Sequence, residues 1–92
     1  MDQKEKIKLL QRIVQMETVN DHESLVADYL ATLFQPYPNV EMTRVRYKSG
    51  RDNLVVTIGT DHHRQLGFAG HMDVVATGDP QKWDHAPFSG DI

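Results

Sequence analysis

The two prolines of "QPYPN", Pro36 and Pro38, divide this chain into halves with different periodicity. Proline removes a backbone donor and clashes with the preceding helical turn, so no helix passes through this point. Before it, apolar residues recur at three- and four-residue spacing. Ile7, Leu10, Ile13 and Val14, with Leu9 at the margin, form one face of an amphipathic helix expected from Gln3 to about Glu17. "ETVNDHES" interrupts that stripe, and Asn20 followed by Glu23 has the spacing of a helix N-cap and its N3 partner. Leu25, Val26, Tyr29, Leu30, Leu33 and Phe34 then make a second stripe, which the prolines end.

Beyond the prolines the pattern turns to strands. "VEMTRVRY" from Val40 alternates and carries β-branched residues, as a half-exposed strand does. "KSGRD" is a turn, and "NLVVTIG" from Asn53 to Gly59 is a continuous apolar run that predicts a more buried strand. After the polar turn "TDHHRQ", the stretch "LGFAGH" from Leu66 to His71 is a third strand candidate. The expected order is helix, helix, strand, strand, strand and loop, an α/β arrangement. Nothing after Met72 supplies a closing helix or strand, so the domain reads as incomplete.

Composition narrows the function classes. Ninety-two residues make one small domain or part of one, and the surface such a chain buries sustains only a marginal core. A net charge of -3 with scattered Lys and Arg gives no basic footprint, which argues against nucleic acid. With no cysteine there are no disulfides, thiolate metal sites or Cys nucleophiles, in keeping with a cytoplasmic setting. The charged N-terminus is unlike a signal peptide, and no apolar run approaches the ~20 residues of a membrane-spanning helix.

The chemistry-bearing residues crowd into "GHMDVVATGDPQKWDHAPFSGDI", Gly70 to Ile92. His71 and Asp73 are two residues apart at the end of an apolar stretch, so on an extended chain they share a face. Neutral imidazole is the commonest metal ligand, and its second ring nitrogen usually needs an orienting acceptor, which Asp73 can supply. A lone His-x-Asp is more often a polar strand end followed by a turn. The wider context is more specific. Gly70, His71, Asp73, Val74, Val75, Gly78, Asp79, Trp83, Pro87 and Phe88 fit the pattern GHxDVVPxGD…W…PF in type and spacing, with Ala76 where proline is usual. The chain here closely resembles the zinc-dependent metallopeptidase and amidohydrolase family of acetylornithine deacetylase, succinyl-diaminopimelate desuccinylase, aminoacylase and carboxypeptidase G. "LLQRIVQMETVNDHES" resembles that family's opening more weakly, with Met16 and Glu17 in place of Ile-Pro.

The resemblance implies the N-terminal part of a zinc-exopeptidase-like three-layer α/β/α catalytic domain over residues 1–92, with the rest of that domain and the lid domain absent. It implies that His71 is a ligand to one of two zinc ions, cobalt and manganese being alternatives that one histidine cannot separate. Asp73 is then the carboxylate that orients His71 in the catalytic centre, and Trp83, Pro87 and Phe88 brace the loop beside the cleft. Asp79 and Asp84 read as turn-forming or solvated, and His62, His63 and His85 are assigned no role. The implied activity is deacylase or dipeptidase hydrolysis of an amide bond in a small acylated amino acid or dipeptide, with no nucleic-acid or membrane partner. The family's lid mediates dimerisation in many members, which implies a homodimer for a full-length protein.

The remaining ligands and the general base of that family lie downstream of this motif, so the chain alone is expected to be inactive and to leave apolar faces uncovered. A non-catalytic α/β module that binds one metal or a partner stands as the alternative.

Overall fold

Asp2 and Glu5 begin the first helix by a reciprocal cap. The Asp2 carboxylate accepts from the Glu5 N–H at 2.8 Å, and the Glu5 carboxylate accepts from the Asp2 N–H at 2.6 Å. In the computed structural model, which describes residues 1–61 and 63–92, helix α1 runs Gln3–Val14 and α2 runs Glu23–Phe34. Strand β1 spans Val40–Lys48 and β2 spans Arg51–Ile58, and a single turn of 3₁₀ helix covers Pro80–Lys82. This is an α/β arrangement of two helices and one two-stranded antiparallel sheet.

Strand β2 begins at Arg51, inside the expected "KSGRD" turn, and three further features differ from the sequence reading. Helix α1 stops at Val14 instead of near Glu17, because the chain tightens there: the Met16 N–H bonds the Ile13 carbonyl at 3.1 Å. Helix α2 is not capped by Asn20. Its N-cap is His22, with φ of 64° and no side-chain cap bond, and Asn20 takes a left-handed φ of 50° to turn the chain back. The third expected strand, Leu66–His71, does not form. Isolated apolar alternation cannot make a strand without a neighbouring ladder, and among the described residues none lies beside it.

The hairpin's register pairs Val40 with Ile58 and Arg46 with Asp52, then slips by one residue so that Lys48 meets Arg51 across a tight loop. Gly50 in that loop has φ of +79°, a conformation L side chains rarely adopt. On one face, Arg44 and Arg46 converge on the buried Asp52, and Arg44 also reaches Asp28 of α2 at 2.6 Å. That face therefore lies toward α2. The opposite face carries Val45 and Val55, both half exposed, so the "NLVVTIG" run is less buried than its composition suggests.

The core is small. Val26 and Ala27 of α2 are its buried apolar residues, and α1 buries none. An accessible surface of 7670 Å² exceeds the roughly 5,400 Å² expected of a compact protein of 10.5 kDa. Large apolar side chains stand in that exposed surface: Leu66 is 82% and Phe68 91% exposed. No helix among the described residues is long and apolar enough to cross a membrane.

What ties the ends together is polar. Gln11 and Gln15 of α1 donate side-chain bonds to the carbonyls of Gly90 and Ser89, at 2.7 and 3.0 Å. The buried Thr18 donates its hydroxyl to the Met72 carbonyl at 2.7 Å, and Val19 bridges Val74 in parallel. Two backbone bonds complete the bridge, Val74 N–H to Thr18 carbonyl at 2.9 Å and Asn20 N–H to Val74 carbonyl at 3.0 Å. Replacing Thr18 by valine keeps the shape and removes the hydroxyl, leaving the Met72 carbonyl without that donor. The expected cost is about 1 kcal/mol in chemical denaturation, with faster hydrogen exchange at the Val74 and Asn20 amides. Unchanged exchange at both amides would show that the hydroxyl does not hold this segment.

Candidate metal centre

His71 and Asp73 flank Met72, whose carbonyl is held by Thr18, so the pinned segment fixes the backbone on which both side chains sit. The His71 ring is largely in solvent, 84% exposed, but it is not free to spin. Its Nδ1 lies 2.8 Å from the Asp73 carbonyl oxygen and 3.2 Å from Asp73 Oδ1. Both partners are acceptors, so in the neutral ring Nδ1 carries the proton and donates. The lone pair is then on Nε2, for which no partner is found among the described residues. An imidazole in this tautomer presents one open nitrogen donor, which is what a metal ligand must do.

Behind Asp73 lies a second charged layer. Glu23 is the first residue of α2 and Arg51 the first of β2, and the hairpin loop is set on the helix start by the Ser24 N–H donating to the Gly50 carbonyl at 3.0 Å. Arg51 Nε donates to both oxygens of Glu23 at 2.9 Å, and its Nη2 adds a further bond to Glu23 Oε1. Nη2 also lies 3.9 Å from Asp73 Oδ2, and the guanidinium sits 5.7 Å above the Tyr47 ring. Glu23, Tyr47, Arg51, His71 and Asp73 line one open cleft of about 280 Å³.

Hydrogen bonding to Arg51 holds the Glu23 carboxyl below its usual range despite burial, and Glu23 in turn raises Arg51. The Arg46 hydrogen bond does the same for Asp52, with burial opposing it and Arg44 adding a smaller pull.

Thr77, Trp83, Pro87 and Phe88 border a second, larger and more apolar groove that His71 also lines and that reaches Ile13 and Val14 of α1. The Trp83 Nε1–H donates to the Thr77 carbonyl at 3.0 Å and so braces the loop. Asp79 accepts from the Gln81 N–H at 3.0 Å and forms the 3₁₀ turn's cap. His85 lies 3.7 Å from Asp91, away from His71's cleft. The His63 amide bonds Asp61 at 3.0 Å, and His62 lies outside the described residues. Among the described residues no group of three or more His, Cys, Asp or Glu is arranged to hold a metal ion. His71 with Asp73 fits one corner of such a site and no more.

Sequence reading missed Thr18, Arg51 and Glu23 as parts of this site. Arg51 stood within a turn and Glu23 within a helix start, and their meeting across 28 positions leaves no local signal.

No family model matches the chain. Comparison with curated proteins is more informative. The chain is 40% identical over 88 residues to a probable succinyl-diaminopimelate desuccinylase of Staphylococcus epidermidis, an alignment covering 96% of the chain and 21% of that protein. It is 39% identical to the succinyl-diaminopimelate desuccinylase of Hydrogenovibrio crunogenus over 96% of the chain, and 38% identical to a probable one of Staphylococcus aureus over 94%. These homologues, 38–40% identical over nearly the whole chain, are members of the zinc metallopeptidase and amidohydrolase family that its motif resembles. Within that family, its relatives here are succinyl-diaminopimelate desuccinylases, and it spans about one fifth of their length.

The ion pairs predict a pH dependence. Both carboxyls are depressed in the folded state, so their contribution to stability is complete above the ordinary carboxyl pKa of about 4 and is lost as pH falls through the folded values. Glu23→Gln removes one of the two. The stability gap between wild type and Glu23→Gln, read from urea midpoints, is therefore expected to be widest at neutral pH and to close in acid. A gap independent of pH would contradict the pairing.

Proposed function

We propose that residues 1–92 form the opening part of the catalytic domain of a metal-dependent amide hydrolase acting on a succinylated or similarly acylated amino acid. The observation that carries this reading is the His71–Asp73 pair, its ring locked with Nε2 outward, on a segment homologous to desuccinylases. In this reading the fold is one portion of a three-layer α/β/α domain. The bare face at Val45 and Val55 and the exposed Leu66 and Phe68 are consistent with surfaces that further strands and helices cover. A cytoplasmic setting goes with it, in keeping with the absence of cysteine.

His71 would hold one metal ion through Nε2, with zinc the first choice and cobalt or manganese alternatives. A pair of such ions, when bound, polarises the scissile carbonyl and supplies hydroxide near neutral pH. The residues here contribute binding and orientation. Asp73 holds the ring and increases its donor strength, and Thr18 fixes the backbone beneath both. Further ligands and a general base must come from other sequence, since a single imidazole leaves a metal mostly hydrated. The isolated chain is accordingly proposed to be inactive.

A chimera tests this reading. Residues 1–92 replace the matching segment of the Staphylococcus epidermidis relative, and hydrolysis of succinyl-diaminopimelate is followed with zinc or cobalt present. Activity is expected, with His71→Ala abolishing it and Asp73→Asn lowering it roughly 10- to 100-fold. A folded chimera without activity, or full activity in His71→Ala, would refute the proposal.

A further inference from the structure

The charged layer behind Asp73 has a geometry that a simple helix-to-strand staple does not require. Arg51 is held from several directions at once: the fork to Glu23, the Tyr47 ring beneath it, and only 24% of its side chain exposed. A guanidinium so constrained is a fixed template, unlike an arginine waving in solvent. Its Nη2 faces one oxygen of Asp73, while the other oxygen faces His71 Nδ1. The Asp73 carboxylate is thus drawn at both ends, by a cation on one side and an imidazole N–H on the other.

That two-ended hold matters because the terminal torsion of aspartate is broad and roughly two-fold. Held by one contact, the carboxylate swings, and Nδ1 keeps only the Asp73 backbone carbonyl as a steady acceptor. The other acid lining this cleft beside Glu23 and Asp73 is Asp52, and it is already engaged by Arg44 and Arg46. Arg51 is therefore the arginine positioned to act on Asp73.

We infer that Arg51, gripped by Glu23, is a positioning residue for the His71 centre: it sets the Asp73 carboxylate so that the ring stays in the Nδ1–H form with Nε2 open. The inference rests on the proposed metal-site reading, since a fixed tautomer has consequence only if Nε2 binds something. Glu23 acts at one remove, by aiming the guanidinium. Lysine cannot substitute, because a single ammonium lacks the fork that spans two carboxylates.

The test reads the tautomer directly, without metal and without turnover. Long-range proton–nitrogen correlation spectra of the neutral His71 ring are recorded for the whole chain and for Arg51→Gln, Arg51→Lys and Arg46→Gln, with protection of the Val74 amide reporting the fold. Wild type is expected to be mainly Nδ1–H. Both Arg51 variants are expected to lower the ratio of Nδ1–H to Nε2–H by about 3- to 10-fold, the net worth of an ordinary hydrogen bond. Arg46→Gln removes an ion pair on the same hairpin that does not touch Asp73, and should leave the ratio unchanged.

A ratio unmoved in the folded Arg51 variants overturns the inference, as does an equal loss in Arg46→Gln or a wild-type ring already in the free-imidazole mixture. Unfolding of both Arg51 variants while Arg46→Gln stays folded makes Arg51 a structural staple and also overturns it. An inactive chimera with an Arg51-dependent tautomer sinks the hydrolase reading alone. An active chimera with an Arg51-independent tautomer sinks this inference alone.

Discussion

The hydrogen bonds between Thr18–Asn20 and Met72–Val74 are the constraint on which the rest of this structure depends. They join two segments far apart in sequence, neither of which lies in a regular element. Thr18 is 2% exposed, so its hydroxyl must find a partner in the protein, and the Met72 carbonyl provides it. Once that segment is set, His71 and Asp73 have fixed backbones. The left-handed residues Asn20 and His22 follow from the same need, because the chain must reverse within a few positions to start α2.

A second layer of order comes from charge. The apolar core is slight, and the hairpin is joined to α2 by Arg51–Glu23 and by Arg44 between Asp28 and Asp52. Exposed pairs of this kind contribute little individually, whereas a bidentate arginine on a mostly buried glutamate adds direction as well as energy. Direction is what the His71 centre uses. The same contacts that dock the helix on the hairpin also arrange the carboxylate that faces the imidazole.

The motif was legible because its information is local: His71, Asp73, Trp83, Pro87 and Phe88 sit at fixed spacings, and the homology to desuccinylases runs over nearly the whole chain. Both helices and both strands of the hairpin were legible for the same reason, since periodicity and proline act within a few residues. The expected third strand does not form, because among the described residues "LGFAGH" has no neighbouring strand to pair with. The start of α2 was misread because Asn20 has the right chemistry for a cap but is needed for the turn.

By itself, then, the sequence determined which segments are helical, where the chain breaks at Pro36 and Pro38, and which histidine carries the family's motif. Only the tertiary structure decided which nitrogen of His71 is open, that Thr18 holds the segment in place, and that Glu23 reaches Arg51 beside Asp73. The division has a physical cause. Propensities and motifs are set by neighbours along the chain, whereas a tautomer and an ion-pair network are set by groups that meet only after the chain has turned back on itself.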